Sequence, residues 1–290
     1  MNLTITGYST ALFSTWYFIE ELGILFDAGD GMVSALTQKL GKIKYAFISH
    51  ADRDHLSALH RLNPLNEKVR VFYPKDAGSF PALEDFSKRF DPDNIRTNWE
   101  PIDSGQRVYL RNDLVVESIR NEHIKAPEEV IKSLSYKVLE SKKKLKEEYL
   151  NLSSDEIKNK IAQEGRDGLM KEVLTPLITY SGDTPVDDYS RFNNSNILIH
   201  EATFIDSVSE RLKVNARNKH SSLEEVLEMV ANIKVNQLIL GHFSLRCSQK
   251  LIDSEIIRLC KYYGIEVPVY RMKTGRISRD VLAKNLIYSP

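Results

Sequence analysis

Tyr45-Ala-Phe-Ile-Ser-His-Ala-Asp-Arg-Asp-His55 is the stretch from which the rest of the chain can be read. Its first half, Tyr45-Ala-Phe-Ile-Ser49, is a short apolar run of the kind that forms a buried strand. Directly behind it come His50, Asp52, Asp54 and His55. Imidazole and carboxylate side chains together suit zinc and related divalent ions. The plainer alternative is a polar loop in which Asp54 caps the following helix.

Outward from this segment the same arrangement recurs. Asp183 follows the apolar run 177–180, His200 follows 197–199, and His242 follows 238–241. Strand ends lie at the rim of a sheet, where loops carry functional side chains on a rigid scaffold. Histidines that merely pack in a core would be scattered through strands and helices. Taken singly, Ser181-Gly-Asp183-Thr184, His200-Glu201 and Gly241-His242 read as ordinary turns. Their common position behind strands makes the set informative.

The rest of the pattern predicts strands over 3–8, 15–19, 23–27, 69–73, 114–119, 134–139, 177–180, 196–199, 237–240 and 267–271, with helical spacing over 32–40. Ser222-Leu-Glu-Glu225 is a capping box for a helix running to about 233. Strands in both halves with interleaved helices imply an α/β protein of two mixed β-sheets, face to face and flanked by helices. The stretch 140–172 is polar. It opens on the basic run 142–146 and contains the capping box Ser153-Ser-Asp-Glu156 with Gly165 as a stop. It reads as a protruding helical insertion, either a solvated helical pair or an arm that grips a polyanion.

Composition narrows the function. With 290 residues and 42% hydrophobic content, one large domain spanning 1–290 can bury a substantial core. Lys+Arg and Asp+Glu are both 40, so the net charge is zero. That argues against a general nucleic-acid coat, while leaving room for a local basic patch. Cys247 and Cys260 are the two cysteines, too few for a disulfide framework. No signal-like leader or long apolar span stands out, so a cytoplasmic protein with no membrane partner is expected.

The quoted residues resemble those of a known family, the tRNase Z (ribonuclease Z) branch of the metallo-β-lactamase superfamily in its short bacterial form. Ala11-Leu-Phe-Ser-Thr-Trp16 and Ile24-Leu-Phe-Asp-Ala-Gly29 look like its opening, and Ser49-His-Ala-Asp-Arg-Asp-His55 sits where its His-x-His-x-Asp-His motif belongs. Ser181-Gly-Asp-Thr184, His200-Glu-Ala-Thr-Phe204, His220-Ser221 and His242-Phe-Ser-Leu-Arg246 follow in the family's order. The resemblance covers nearly the whole chain. It implies the metallo-β-lactamase αββα sandwich and two divalent metal ions, zinc first. One ion would be held by His50, Asp52, His123 and Asp183, the other by Asp54, His55, Asp183 and His242. Asp54, His220 and Glu201 would be catalytic: Asp54 orients the nucleophile, His220 protonates the leaving group and Glu201 orients His220. His200 is not expected to be a ligand, and His60 is left over as structural. His123 precedes a longer connection than the family has.

One departure carries a physical consequence. The motif's second histidine is Asp52 in this chain. A third carboxylate makes the first shell more negative, so manganese or iron should compete better against zinc. The function implied is a metal-dependent phosphodiester hydrolase, a tRNA 3′-processing endoribonuclease acting on a tRNA precursor, with no cofactor besides the metal ions and expected as a homodimer. Two alternatives stand beside it: a phosphodiesterase for a small phosphodiester such as a cyclic nucleotide, and a catalytically weak metal-binding relative.

Overall fold

A computed structural model describes residues 2–63, 68–205 and 219–290 of the chain. Fourteen strands, among the described residues, form two sheets. The first sheet holds β1 (Ile5–Thr10), β2 (Ser14–Ile19), β3 (Ile24–Phe26), β4 (Tyr45–Phe47), β5 (Val69–Pro74) and β6 (Thr97–Ile102), paired in that order. The second runs through β7 (Arg107–Arg111), β8 (Leu114–Arg120), β9 (Leu134–Leu145), β10 (Met170–Tyr180), β11 (Ser195–Glu201), β12 (Val235–Gly241), β13 (Val269–Arg271) and β14 (Leu286–Tyr288). β3, β4 and β5 are parallel neighbours in one sheet, as are β10, β11 and β12 in the other.

Alternation along the strands explains the layers. In β2, Tyr17 and Ile19 join Phe26, Phe47, Tyr136, Tyr180 and Ile199 in the core between the sheets. Trp16 and Phe18 point the other way, onto Met32, Leu36, Leu59 and Phe80. Both faces of the strand are thus buried, which gives the continuous apolar run of a covered sheet. On the far side, Leu198, Leu238 and Leu240 pack beneath the helices Leu223–Asn232 and Gln249–Tyr262. The order helix, sheet, sheet, helix is the αββα sandwich. Both expected capping boxes form, at Ser153 with Glu156 and at Ser222 with Glu225.

The stretch 140–172 differs from a purely helical insertion. β9 and β10 continue as an antiparallel ladder as far as Leu145 opposite Met170. Helix forms only beyond that, over Ser154–Glu164 and Arg166–Leu169, with Gly165 between them. The outer hairpin leaves little apolar alternation to read, because lysines 142–144 of β9 are exposed and Lys171 and Glu172 interrupt the apolar residues of β10. β6 and β7 were also unread: both are edge or near-edge strands with polar residues, and Pro101 breaks the pattern of β6. Among the described residues, no helix is long and apolar enough to cross a membrane.

Candidate metal centre

The side chains singled out in the sequence meet at one rim of the sandwich, most of them at the C-terminal ends of parallel strands. His50 lies just past β4, and Asp54 and His55 occupy the short helix Arg53–Leu56. His123 follows β8, Asp183 follows β10, Glu201 ends β11 and His242 follows β12. His220 stands just before the capped helix Leu223–Asn232. Asp52, rather than Asp54, occupies the N-cap of the short helix and makes no side-chain capping bond. Its carboxylate faces the site instead.

Asp183 Oδ2 is the hub. It lies 3.8 Å from His50 Nε2, 3.2 Å from His55 Nε2, 3.3 Å from His242 Nε2 and 3.8 Å from His220 Nδ1. On one side, Asp52 Oδ2 is 3.6 Å from both His50 Nε2 and His123 Nε2. On the other, Asp54 Oδ2 is 3.5 Å from His55 Nε2 and 3.3 Å from His242 Nε2. The ligand atoms of His50, Asp52 and His123 lie within 4.8 Å of one another, and so do those of Asp54, His55 and His242. All of the residues expected as ligands are therefore brought together, in two groups that share Asp183.

The imidazoles are held in one tautomer. His55 Nδ1 donates to Asp27 Oδ2 at 2.7 Å, and His123 Nδ1 donates to the Lys219 carbonyl at 2.8 Å. Ser49 Oγ donates to Asp27 Oδ2 and so accepts from His50 Nδ1 at 2.9 Å. Thr203 Oγ1 donates to Glu201 Oε2 and so accepts from His242 Nδ1 at 2.8 Å. Each ring has its Nδ1 engaged from behind and turns Nε2 inward, the arrangement found behind metal-binding histidines. Nε2 of His50, His55 and His123 are buried and have no hydrogen-bond partner. Buried polar atoms are rarely left so. Orphaned lone pairs facing three carboxylates fit a pair of divalent cations.

The electrostatics agree. The imidazoles of His123 and then His50, 3.6 Å away, hold the Asp52 carboxyl well below the usual carboxylate range. Burial works to raise Asp54 and Asp183, yet neighbouring histidines hold both below it. Burial likewise opposes charge on His55, but Asp183 and Asp27 raise its pKa well above the ordinary value. His50, buried beside His55 and His123, is pushed down. Burial opposes charge on His220 too, but the Glu201 carboxylate, 3.0 Å from Nδ1, lifts it to about 9.

Two supporting residues went unread in the sequence. Asp27, at the end of the run 23–27, is fully buried and accepts from the Ser49 N–H, the Ser49 hydroxyl, His55 Nδ1 and the Tyr180 hydroxyl. An aspartate ending a fully apolar strand is the available signal. Thr203 links Glu201, His242 and, at 3.3 Å, His220 Nδ1. Gly182 permits the two rims to close: its φ is +60°, and a Cβ there would stand 2.7 Å from Ser49 Cβ. His200 is not drawn into the centre. Its Nδ1 meets the Glu201 carbonyl, its ring lies edge-on to Phe192, and burial lowers its pKa. His60 sits edge-on to Phe86, outside the site.

No family model matches the chain. Its curated relatives include tRNase Z TRZ1 of Arabidopsis thaliana, 29% identical over 275 residues covering 89% of each chain. Ribonuclease Z of Thermococcus kodakarensis is 28% identical over 270 residues, 86% of this chain and 83% of that one. Among solved structures, the metallo-β-lactamase fold protein YhfI of Bacillus subtilis superposes with a TM-score of 0.63 at 13% identity, over 96% of this chain and all of that one. The short form of human tRNase Z gives 0.57 at 17% identity, over 84% of this chain and 93% of that one.

Proposed function

We propose, for a chain of metallo-β-lactamase fold whose sequence relatives are ribonuclease Z proteins, that it is a metal-dependent endoribonuclease cutting tRNA precursors at their 3′ side. The observation that carries this reading is one carboxylate oxygen of Asp183 shared between two His/Asp groups, with the His220–Glu201 pair alongside. His50, Asp52, His123 and Asp183 would hold one ion, and Asp54, His55, His242 and Asp183 the other. Such a pair of ions, when bound, supplies a nucleophile at neutral pH and neutralises charge on the phosphodiester. Zinc is the first expectation, with manganese or iron favoured by the third carboxylate, Asp52.

The protein's own groups do the rest. Asp54 orients the attacking water by accepting a hydrogen bond from it. Glu201 keeps His220 charged through Nδ1, leaving Nε2–H to protonate the departing 3′ oxygen as general acid. Thr203 and the Thr184 N–H, 2.7 Å from Glu201 Oε1, stop that carboxylate from swinging away.

One observation favours the runner-up, a phosphodiesterase for a small substrate. Lys142, Lys143 and Lys171 of the hairpin arm sit in ion pairs with Glu140, Asp167 and Glu147 at 2.6–2.7 Å. A net charge of zero points the same way. Replacing residues 147–168 with a short turn separates the two. The tRNase reading expects precursor cleavage to be lost while a chromogenic phosphodiester is still hydrolysed. If precursor cleavage survives unchanged, the arm is not a substrate grip. If the intact protein cleaves the small diester but no precursor, the endoribonuclease reading fails. A homodimer belongs to this proposal and is read by sedimentation of the purified chain.

A further inference from the structure

Ala11-Leu-Phe-Ser-Thr-Trp16 contributes no side chain to the centre described above, yet it touches it. At the tip between β1 and β2, the Leu12 N–H donates to Asp54 Oδ2 at 3.2 Å. Leu12 takes a left-handed φ of 69° and is 86% exposed. A leucine in that region costs on the order of 1–2 kcal/mol, which a glycine would avoid. The next residue, Phe13, is 58% exposed. An apolar tip that is both strained and bare is expensive in water, and it is tied to a residue of the metal centre.

Phe13 is also one wall of a cleft of about 290 Å³, with Tyr8, Trp16, Asp30 and Ile277 around it. That volume is at the small end of ligand pockets, room for one planar ring rather than a chain. Trp16 is buried, and its Nε1–H has no hydrogen-bond partner. Asp30, an exposed carboxylate residue, also lines the cleft.

We propose that this cleft is a nucleobase subsite, in which a base of the substrate RNA next to the cut phosphodiester stacks on Phe13 and presents an exocyclic amino group to Asp30. The inference rests on the endoribonuclease reading. Every base has an apolar face that an exposed aromatic can cover, and such stacking is sequence-tolerant. Selectivity then comes from the carboxylate, which accepts from an amino group and repels a carbonyl edge. Adenine, guanine and cytosine fit; uracil does not.

The test uses the metal-loaded protein and precursor RNAs carrying 2-aminopurine at single positions around the cut. One position should change in fluorescence on binding to the wild type. Phe13→Ala should erase that change and raise KM about tenfold, a loss in the range of one base–aromatic stack. Phe13→Trp should restore both. Phe90→Ala, which removes a still more exposed ring from the helix Ser79–Phe90, should do nothing. Uridine at the responsive position should weaken binding, and Asp30→Asn should remove that penalty. If the wild type cleaves precursor normally and F13A matches it in KM and fluorescence, the subsite is refuted and the endoribonuclease reading stands. If no RNA is bound or cut by the wild type, both fall together.

Discussion

Asp27→Asn changes one atom and should damage the centre without touching a ligand. Asp27 is fully buried and receives four hydrogen bonds. Oδ1 takes the Ser49 N–H at 2.7 Å; Oδ2 takes the Ser49 hydroxyl at 2.8 Å, His55 Nδ1 at 2.7 Å and the Tyr180 hydroxyl. An asparagine can keep an oxygen on only one of these sides. With the amide nitrogen at the Oδ2 position, His55 would be driven to the tautomer that protonates Nε2, the atom that must face the cation. With it at the Oδ1 position, the Ser49 N–H loses its acceptor, which costs about 1–3 kcal/mol in a buried place. The second arrangement is the cheaper one, and it also removes the charge behind His55 and, through Ser49, behind His50. Loss of such a supporting carboxylate weakens metal affinity by about 10- to 100-fold. Competition titration against a chromophoric chelator, zinc and manganese separately, reads the affinity, and urea melts with EDTA read the stability of the metal-free fold. Wild-type affinity for both ions in D27N, with unchanged metal-free stability, would refute the idea that Asp27 sets the tautomers.

Glu201→Gln should lower the pKa of His220 from about 9, because burial is then opposed only by the weaker pull of Asp183. The folded value is the raised one, so the pair stabilises the metal-free protein fully below pH 6.5 and the benefit disappears as pH climbs through about 9. Urea melts of the metal-free protein across that window should show the loss in the wild type and a smaller one in E201Q; parallel curves would contradict the assignment. Asp52→His should shift metal preference towards zinc in a competition measured by elemental analysis, and an unchanged preference would mean that Asp52 does not set it. Thr203→Val keeps the shape but removes the hydroxyl between Glu201 and His242; it should lower kcat on the order of tenfold and weaken one ion more than the other, which calorimetry would resolve. Burial pushes the Cys260 thiol up to about 12, so thiol reagents at pH 8 should modify it only after unfolding, as followed by mass spectrometry.

Much of this was legible in one dimension. An apolar strand followed at once by His50, Asp52, Asp54 and His55 marks a sheet rim and its chemistry locally, because strand period and ligand type are properties of neighbouring residues. The capping boxes at Ser153 and Ser222 are likewise local, and both form. What the chain could not declare are relations between distant segments. Asp27 lies 153 residues from Tyr180, whose hydroxyl it accepts, and Ser9 lies 233 residues from His242, whose N–H it holds at 2.8 Å. The outer ladder of β9 and β10 stayed hidden because the exposed lysines 142–144 of one strand erase its apolar alternation, and the pairing is a relation to a segment some thirty residues away. The sequence by itself determined which side chains could bind cations and that they stand at strand ends. Only the tertiary structure decided that one oxygen of Asp183 serves both groups and that every ring turns Nε2 inward, since tautomer and direction are set by partners that the backbone brings from far away.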